Sequence, residues 1–546
     1  MTYQTQWWKR TVFYQIYMPS FADGNHDGIG DFKGICEKLP YLKKLGVGGI
    51  WLTPFYPSPK ADQGYDISDY YNIDPDYGTM EDFEMFLKRA HELGIRVIAD
   101  MVINHTSTGH PWFLESKSSR DNPKRDWYIW REAKDGKEPN NWESFFGEKA
   151  WAFDETTEMY YYHSFAREQA DLNWANPQVK TAIFEMLDFW ADKGLDGFRL
   201  DVINNLSLTD CMTDNPTDAS GAQIHAYDIN QPGIHDFMRT LKAHFEKTRP
   251  MFLVGEISSD QLELIHSFTG AGQLDTTFNF NLGSQETFDF GRFYGELSRM
   301  TDLYSEDSCP TIFFGSHDMP RYMSRFGFDI DQAKSLMTLM MTYRAVPFIY
   351  FGDEIAMANM ECASVDDARD IQGIIAYRQA KASGVDEEEA LRRLNAETRD
   401  HSRNTMYWDD SIYGGFSDVM PWIGWQKQPG DSARAQMGDR DSMLNYTAAL
   451  CRLRSCSETL AFGSCSVSSP RQGVIICRRQ GIKHEAAAVI NFSEESFIWT
   501  LPAGTDAALI IESASGAVSI DDRKAVVRGK CSGILYIRQN TAQVAI

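Results

Sequence analysis

The 546-residue sequence predicts an α/β protein: a parallel β/α barrel interrupted by one insertion and followed by a small antiparallel β-sandwich. Three observations carry that expectation. Short apolar runs alternate with amphipathic stretches that stop at glycine. The alternation fails over residues 105–174. From about residue 456 the chain turns to short β runs separated by turn residues. One large barrel with one or two smaller domains suits this length better than a single ordinary domain.

The strand candidates are residues 12–17, 49–52, 96–102, 197–201, 251–255, 311–314 and 347–351. They are apolar on both faces, as buried parallel strands are. Between them, residues 80–93 repeat apolar positions at three- and four-residue spacing and end at Gly94. Residues 177–193 open with Pro177 after Asn176 and stop at Gly194, the start and stop signals of a helix. Residues 105–174, rich in Trp, Asn, Lys and Tyr, show no barrel period and read as a small domain capping the barrel mouth. Residues 473–479, 486–492, 507–512 and 533–538 read as sandwich strands. The charged run 386–393 reads as a solvated helix face. The expected division is therefore 1–104 and 175–455 for the barrel, 105–174 for the insertion and 456–546 for the sandwich.

The composition is that of a folded protein, 43% hydrophobic and 24% charged. A net charge of −24 and a pI near 4.9 argue against nucleic acid and anionic membrane surfaces, which need a basic footprint. They favour a neutral or cationic ligand. The 13% aromatic content leans towards carbohydrate, whose apolar faces stack on rings. The N-terminal stretch has no apolar signal-like region, and no run approaches a membrane span. Nine cysteines without paired spacing suggest free thiols and a reducing cytoplasm. A monomer is expected.

Six short stretches carry chemistry-bearing residues: Asp100 to His105, Gln169 to Asn173, Gly197 to Val202, Val254 to Glu256, Ser316 to Asp318 and Arg399 to Arg403. Asp201, Glu256 and Asp318 each end a short apolar run, roughly 55 to 60 residues apart, about one or two strand-plus-helix units of a barrel. All three would point into one mouth, where paired carboxylates cleave glycosidic bonds. Arg199 shares a strand face with Asp201 and would keep it ionised. The apolar approach to Glu256 would raise its pKa by desolvation. A second constellation, Asp23, Asn25, Asp27, Ile29 and Asp31, spaces oxygen donors at every second position with glycine at the sixth. It looks like the first part of an EF-hand loop, but Gly34 stands where a bidentate Glu would be. The plainer alternative is an Asx-rich turn without metal.

Together these stretches, with Trp7-Trp8-Lys9, residues 12–17 and the Asp62 to Asp66 segment, resemble the α-amylase clan (glycoside hydrolase family 13), within it the oligo-1,6-glucosidase and α-glucosidase group. The resemblance covers nearly the whole chain. It implies a (β/α)8 TIM barrel, an insertion after the third strand, and retaining double displacement on a small oligosaccharide or disaccharide. It assigns Asp201 as nucleophile, Glu256 as acid/base and Asp318 as the third carboxylate. His105 and His317 would bind hydroxyls of the terminal glucose, Arg199 and Phe280 would belong to the substrate site, and Asp62, Tyr65 and Arg403 would close the pocket end, making the enzyme exo-acting. The resemblance also implies a structural Ca2+ or Mg2+ in the Asp23–Asp31 loop.

Val202 after the nucleophile goes, in this family, with α-1,6 preference. Gln169-Ala170-Asp171, Asn141-Trp142-Glu143-Ser144 and Gly255-Glu256-Ile257-Ser258-Ser259 look closer to trehalose-6-phosphate hydrolases, which form the alternative. Those hydrolases resemble one another in a Lys after the Phe278-Asn279-Phe280 stretch, and here no Lys or Arg follows before Arg292. Ser316 and Asn404 to Tyr407 depart from the usual family residues beside the site, which bears on substrate choice. The Arg-rich loop of sucrose isomerases is not visible. Clan members that became transporter partners lack the carboxylates, which this chain keeps.

Overall fold

The computed structural model describes residues 6–539, apart from 208, 210, 211, 305–307, 483 and 522. Eight parallel strands form the barrel wall: β1 Phe13–Ile16, β2 Gly49–Leu52, β3 Arg96–Met101, β4 Gly197–Leu200, β5 Phe252–Gly255, β6 Thr276–Thr277, β7 Thr311–Ile312 and β8 Val346–Tyr350. Hydrogen-bonded neighbours run β6-β5-β4-β3-β2-β1-β8-β7. The seam between β6 and β7 is crossed by threonine hydroxyls. Thr276 Oγ1 donates to the Cys309 carbonyl at 2.7 Å, and Thr311 Oγ1 to the Thr277 carbonyl at 3.1 Å. Seven strands were legible as apolar runs. β6 was not, because it is two threonines long and has no apolar run to announce it.

The barrel interior is packed with rings. Phe13 stacks on Phe348 at 4.8 Å and on Phe252 at 5.1 Å, and Trp51, Ile98, Val254, Phe278 and Phe313 complete the layer. Such filling makes the barrel a core rather than a pore, and leaves chemistry to the strand ends. Gly197 at the start of β4 is a close-approach position: a Cβ there would lie 2.2 Å from the Phe252 carbonyl oxygen.

Local signals set the helices. Met80–Glu92 begins with a capping box between Thr79 and Asp82, and Pro177–Lys193 is capped by the Asn176 side chain and ends at Gly194 with φ 108°. The charged run lies in Glu387–Glu397, whose N-terminus Asp386 caps. No helix among the described residues is long and apolar enough to cross a membrane.

The insertion leaves after β3 and is pinned at its base. His105–Ser107 pairs antiparallel with Gln169–Asp171, so His105 faces Asp171. Beyond that neck stands a three-stranded sheet of Trp130–Arg131, Met159–Tyr162 and Trp151–Asp154. The C-terminal part has a five-stranded antiparallel sheet, ordered Ser464–Arg471, Val474–Gln480, Glu485–Asn491, Ser532–Gln539 and Thr505–Glu512. A three-stranded sheet accompanies it: Phe497–Thr500, Lys524–Val527 and Val518–Asp521. Val474, Ile476, Val489, Leu501, Val527 and Leu535 pack into their shared core. Ser464–Arg471 escaped the sequence reading because its alternating serines look like a loop.

Candidate active site

Parallel register brings the acids together. Arg199 on β4 sits level with Asp100 on β3 and Val254 on β5, so its guanidinium reaches across the C-terminal ends of three strands. Its Nη1 bonds Asp100 Oδ1 at 2.6 Å and Asp201 Oδ1 at 2.5 Å, and its Nη2 bonds Glu256 Oε2. One cation thus orients three carboxyl groups, all in a site where Arg199 itself is fully buried. Glu256, when protonated, donates to Asp201. Both carboxyls bind the same guanidinium, which holds them close together, as the short carboxyl separation of retaining enzymes asks.

Burial dominates their ionisation. Desolvation pushes Asp201 up to about 7 although Arg199 pulls the other way, and pushes Glu256 up to about 8 against the same guanidinium. Arg199 therefore aims Asp201 but does not hold its carboxyl at an ordinary acidic value. The two titrate as a pair that keeps one proton through the neutral range. Asp318 behaves oppposite. Burial would raise it, but His317, Arg399 and Arg403 outweigh burial and hold it near 2. Burial also keeps His317 neutral, down at about 3, so at neutral pH the arginines carry that effect.

A relay of hydrogen bonds fixes His317. The Gln15 amide nitrogen lies 2.7 Å from Nδ1 and can only donate, which places the ring proton on Nε2. Nε2 lies 2.6 Å from Tyr65 Oη, which donates to Asp100 Oδ2 at 2.8 Å. Nε2 is also 3.1 Å from Asp318 Oδ2. Ser316, where the family more often has Asn, accepts from the Asp318 N–H at 3.2 Å.

The far end of the pocket is closed by an ion pair. Arg399 Nη2 bonds Asp62 Oδ1 at 2.6 Å, while Gln169 Nε2 donates to Asp62 Oδ2 at 3.1 Å and lies 3.0 Å from His105 Nε2. The partner of Asp62 is therefore Arg399, not the expected Arg403. Arg403 is completely buried behind the pocket, with Nε on the His317 carbonyl at 2.9 Å and Nη2 3.4 Å from Asp318. Three residues separate the two arginines, and only the tertiary path decides which one faces the cavity.

The cavity measures about 190 Å³ and is lined by Asp62, Tyr65, His105, Gln169, Asp201, Val202, Glu256, Asp318 and Arg399, with Phe146 and Phe165 from the insertion. That volume accommodates a sugar ring. Ser258 and Gln372 complete its rim. Arg199 and His317 do not line it but bond residues that do, Arg199 to Asp201 and Glu256 and His317 to Tyr65 and Asp318. Phe280 lies outside, 5.1 Å from Phe313 ring to ring, as part of the barrel packing. Val202 adopts φ 35° and ψ 48°, a left-handed conformation that a β-branched residue rarely takes, and such strain gathers where a side chain must be aimed. Sequence reasoning missed Asp100, Gln169 and Arg399 as individual site residues although each lies in a motif stretch. It missed Phe146, Phe165 and Gln372, which line the pocket, and Asp370, which pairs with Arg399; none carries a local signal.

The Asp23–Asp31 loop lies outside this pocket. Asp23 accepts N–H bonds from Asn25, His26 and Gly28, Asp27 from Ile29, and Asp31 from Gly34 at the start of helix Phe32–Leu45. No three acidic, His or Cys side chains converge as a ready metal cage among the described residues. Among those residues, too, no Lys or Arg pairs with Asp23, Asp27 or Asp31. The loop is an oxygen-only donor set with uncompensated charge, and that chemistry fits a hard cation.

Comparison with known proteins places these features in a lineage. The family model for the α-amylase catalytic domain matches residues 15–463. An oligo-1,6-glucosidase of Halalkalibacterium halodurans is 40% identical over 479 residues, 84% of this chain and 85% of that protein. A trehalose-6-phosphate hydrolase of Bacillus subtilis is 36% identical, with 92% of each chain covered. Among solved structures, the trehalulose synthase of Pseudomonas mesoacidophila superposes with a TM-score of 0.90 at 35% identity, covering 97% of this chain and 99% of that one. The trehalose-6-phosphate hydrolase of Bacillus licheniformis superposes at 0.88, with 34% identity over 98% of this chain and 100% of that one. With its eight-stranded barrel and its carboxylate cluster, the chain belongs to the α-amylase family and is a glycoside hydrolase.

Proposed function

We propose that this enzyme is an exo-acting retaining α-glucosidase that removes one terminal glucose from short α-glucosides, with preference for α-1,6 linkages. The observation that carries the reading is the blind pocket: Asp62 and Arg399 close it behind the reacting carboxyls, so a chain cannot thread through. Asp201 attacks the anomeric carbon from one face while Glu256 protonates the leaving oxygen. Water, activated by Glu256, then cleaves the glucosyl ester and restores the α configuration. Asp318, held ionised, takes sugar hydroxyls and stabilises the developing positive charge. Phe146, Phe165 and Tyr65 supply apolar faces for the ring.

The charge of the pocket bears on the alternative. Similarity to trehalose-6-phosphate hydrolases keeps a phosphorylated disaccharide in view. However, Arg399 is the one Lys or Arg lining this pocket among the described residues, and it is engaged by Asp62, Asp370 and Asp318. An added phosphate would meet carboxylates rather than a free cationic clamp. The test is a product time course on isomaltose, maltose, sucrose, trehalose and trehalose-6-phosphate. Isomaltose is expected to turn over fastest and starch hardly at all. A ten-fold advantage for trehalose-6-phosphate would sink the reading. Val202→Ala should shift the isomaltose-to-maltose ratio towards maltose by about ten-fold, since removing two methyls beside the nucleophile reshapes the leaving-group side. An unchanged ratio would remove Val202 from the specificity argument.

We also propose that Asp23, Asn25, Asp27, Asp31 and the Ile29 carbonyl hold a structural Ca2+ or Mg2+, which would neutralise the loop charge and tie it to the following helix. Chelation is expected to lower Tm more than it lowers turnover at low temperature. Unchanged melting with no metal by elemental analysis would count against the site. The eight unpaired cysteines among the described residues support a reducing compartment.

A further inference from the structure

Two cysteines far from the sugar pocket share a setting that glycoside hydrolysis does not use. Cys465 lies on the edge strand Ser464–Arg471 and Cys477 on its neighbour Val474–Gln480. In the antiparallel register Cys465 faces Arg479 and Val467 faces Cys477, so the two cysteines are diagonal neighbours on one face. Their Sγ atoms are 3.7 Å apart. Cys477 is buried and its thiol also lies 3.8 Å from the Thr342 carbonyl oxygen, while Cys465 is half-buried on the open edge.

The surroundings are cationic. Arg454 and Arg479 are both fully buried beside this face. Arg454 bonds the carbonyls of Tyr343, Ala345 and Lys9, at 2.9, 2.7 and 3.0 Å. Arg479 bonds those of Thr342, Gly463 and Ser464, at 2.8, 2.8 and 3.2 Å. Among the described residues neither has a carboxylate within ion-pair distance. Buried cations are costly unless a negative group compensates them, and the ionisable groups that favour the charge of both arginines are the thiols of Cys309, Cys465 and Cys477.

We propose that Cys465 and Cys477 form a redox-active dithiol that hydrogen peroxide converts to an intrachain disulfide. The Cys465 thiolate attacks one peroxide oxygen; the O–O bond breaks, an S–O bond forms, and the departing hydroxide takes a proton to become water. The Cys477 sulfur then attacks the sulfenic sulfur, forming S–S and releasing a second water. Two thiols lose two protons and two electrons, and the peroxide accepts both to become two waters. The sulfurs must close from contact to about 2.05 Å. Cys465 is on an edge strand, hydrogen-bonded to a neighbour on one side only. The direction of the thiol ionisations agrees with these roles. Donation from Cys477 and the charge of Arg479 lower Cys465 to about 6 despite burial, whereas Cys477 is held protonated by Cys465 and by burial.

The test uses the full-length enzyme, with glucosidase turnover as the check on folding. Reduced protein treated with one equivalent of hydrogen peroxide should lose two hydrogens by intact mass. Non-reducing peptide mapping should show Cys465 joined to Cys477, and dithiothreitol should reverse the change. Alkylation of Cys465 in the reduced enzyme should reach half its limiting rate near pH 6. Cys477→Ser should instead accumulate a sulfenic acid at Cys465 that dimedone traps. If the active wild-type enzyme keeps its full thiol count, if the bond maps to other cysteines, or if Cys465 alkylates with an ordinary thiol pH profile, the proposal is wrong. These wild-type readouts stand even if a variant does not fold.

Discussion

Asp201→Asn is expected to retain less than about one part in a thousand of wild-type turnover, because the amide cannot form the glucosyl ester. The position argues for so large a loss. Asp201 ends β4, is gripped by Arg199 at 2.5 Å, and opens onto the cavity that Asp62 and Arg399 close. Removing its charge removes the attacking group, while the amide oxygen can still accept from the buried guanidinium. Turnover and melting should be measured together. A variant that melts normally and has lost turnover supports the nucleophile, whereas near-wild-type turnover refutes it. With Asp201→Gly and azide, an activated α-glucoside should yield the β-glucosyl azide, since the anion then attacks from the face that Asp201 vacates.

Glu256→Gln should lose nearly as much on unactivated substrates, on the order of two to four decades for a missing general acid. With an activated leaving group the first step needs no proton, so the covalent intermediate should accumulate. Azide should then rescue turnover and give the α-glucosyl azide, the opposite anomer to that from Asp201→Gly. The pH profile supplies a second readout. Activity needs Asp201 ionised and Glu256 protonated. In the wild type kcat/KM should therefore rise as pH passes about 7 and fall as it passes about 8, the apparent values of the pair. In Glu256→Gln the alkaline limb should disappear. No azide rescue together with an unchanged profile would remove Glu256 from the role.

These expectations rest on residues whose order along the chain was readable, and on a geometry that was not. Seven of eight barrel strands announced themselves as apolar runs because parallel strands are buried on both faces. The short β6 did not, because its seam is held by threonine side chains instead of apolar packing. Likewise Asp201, Glu256 and Asp318 stand at the ends of apolar runs, which marks them locally. Gln372 lies on a helix and Phe146 in the insertion, and nothing local in either stretch tells that it will meet the pocket.

The sequence by itself determined the α/β alternation, the place of the insertion and the identity of the acidic groups at the strand ends. These depend on period, on glycine and proline, and on which residue follows an apolar run, all of which are local properties. Tertiary structure alone decided that Arg399 and not Arg403 meets Asp62, and that burial raises Asp201 in spite of the arginine beside it. Both outcomes depend on which groups share a low-dielectric space after folding. That is a property of distances between strands, and residue order along one strand does not contain it.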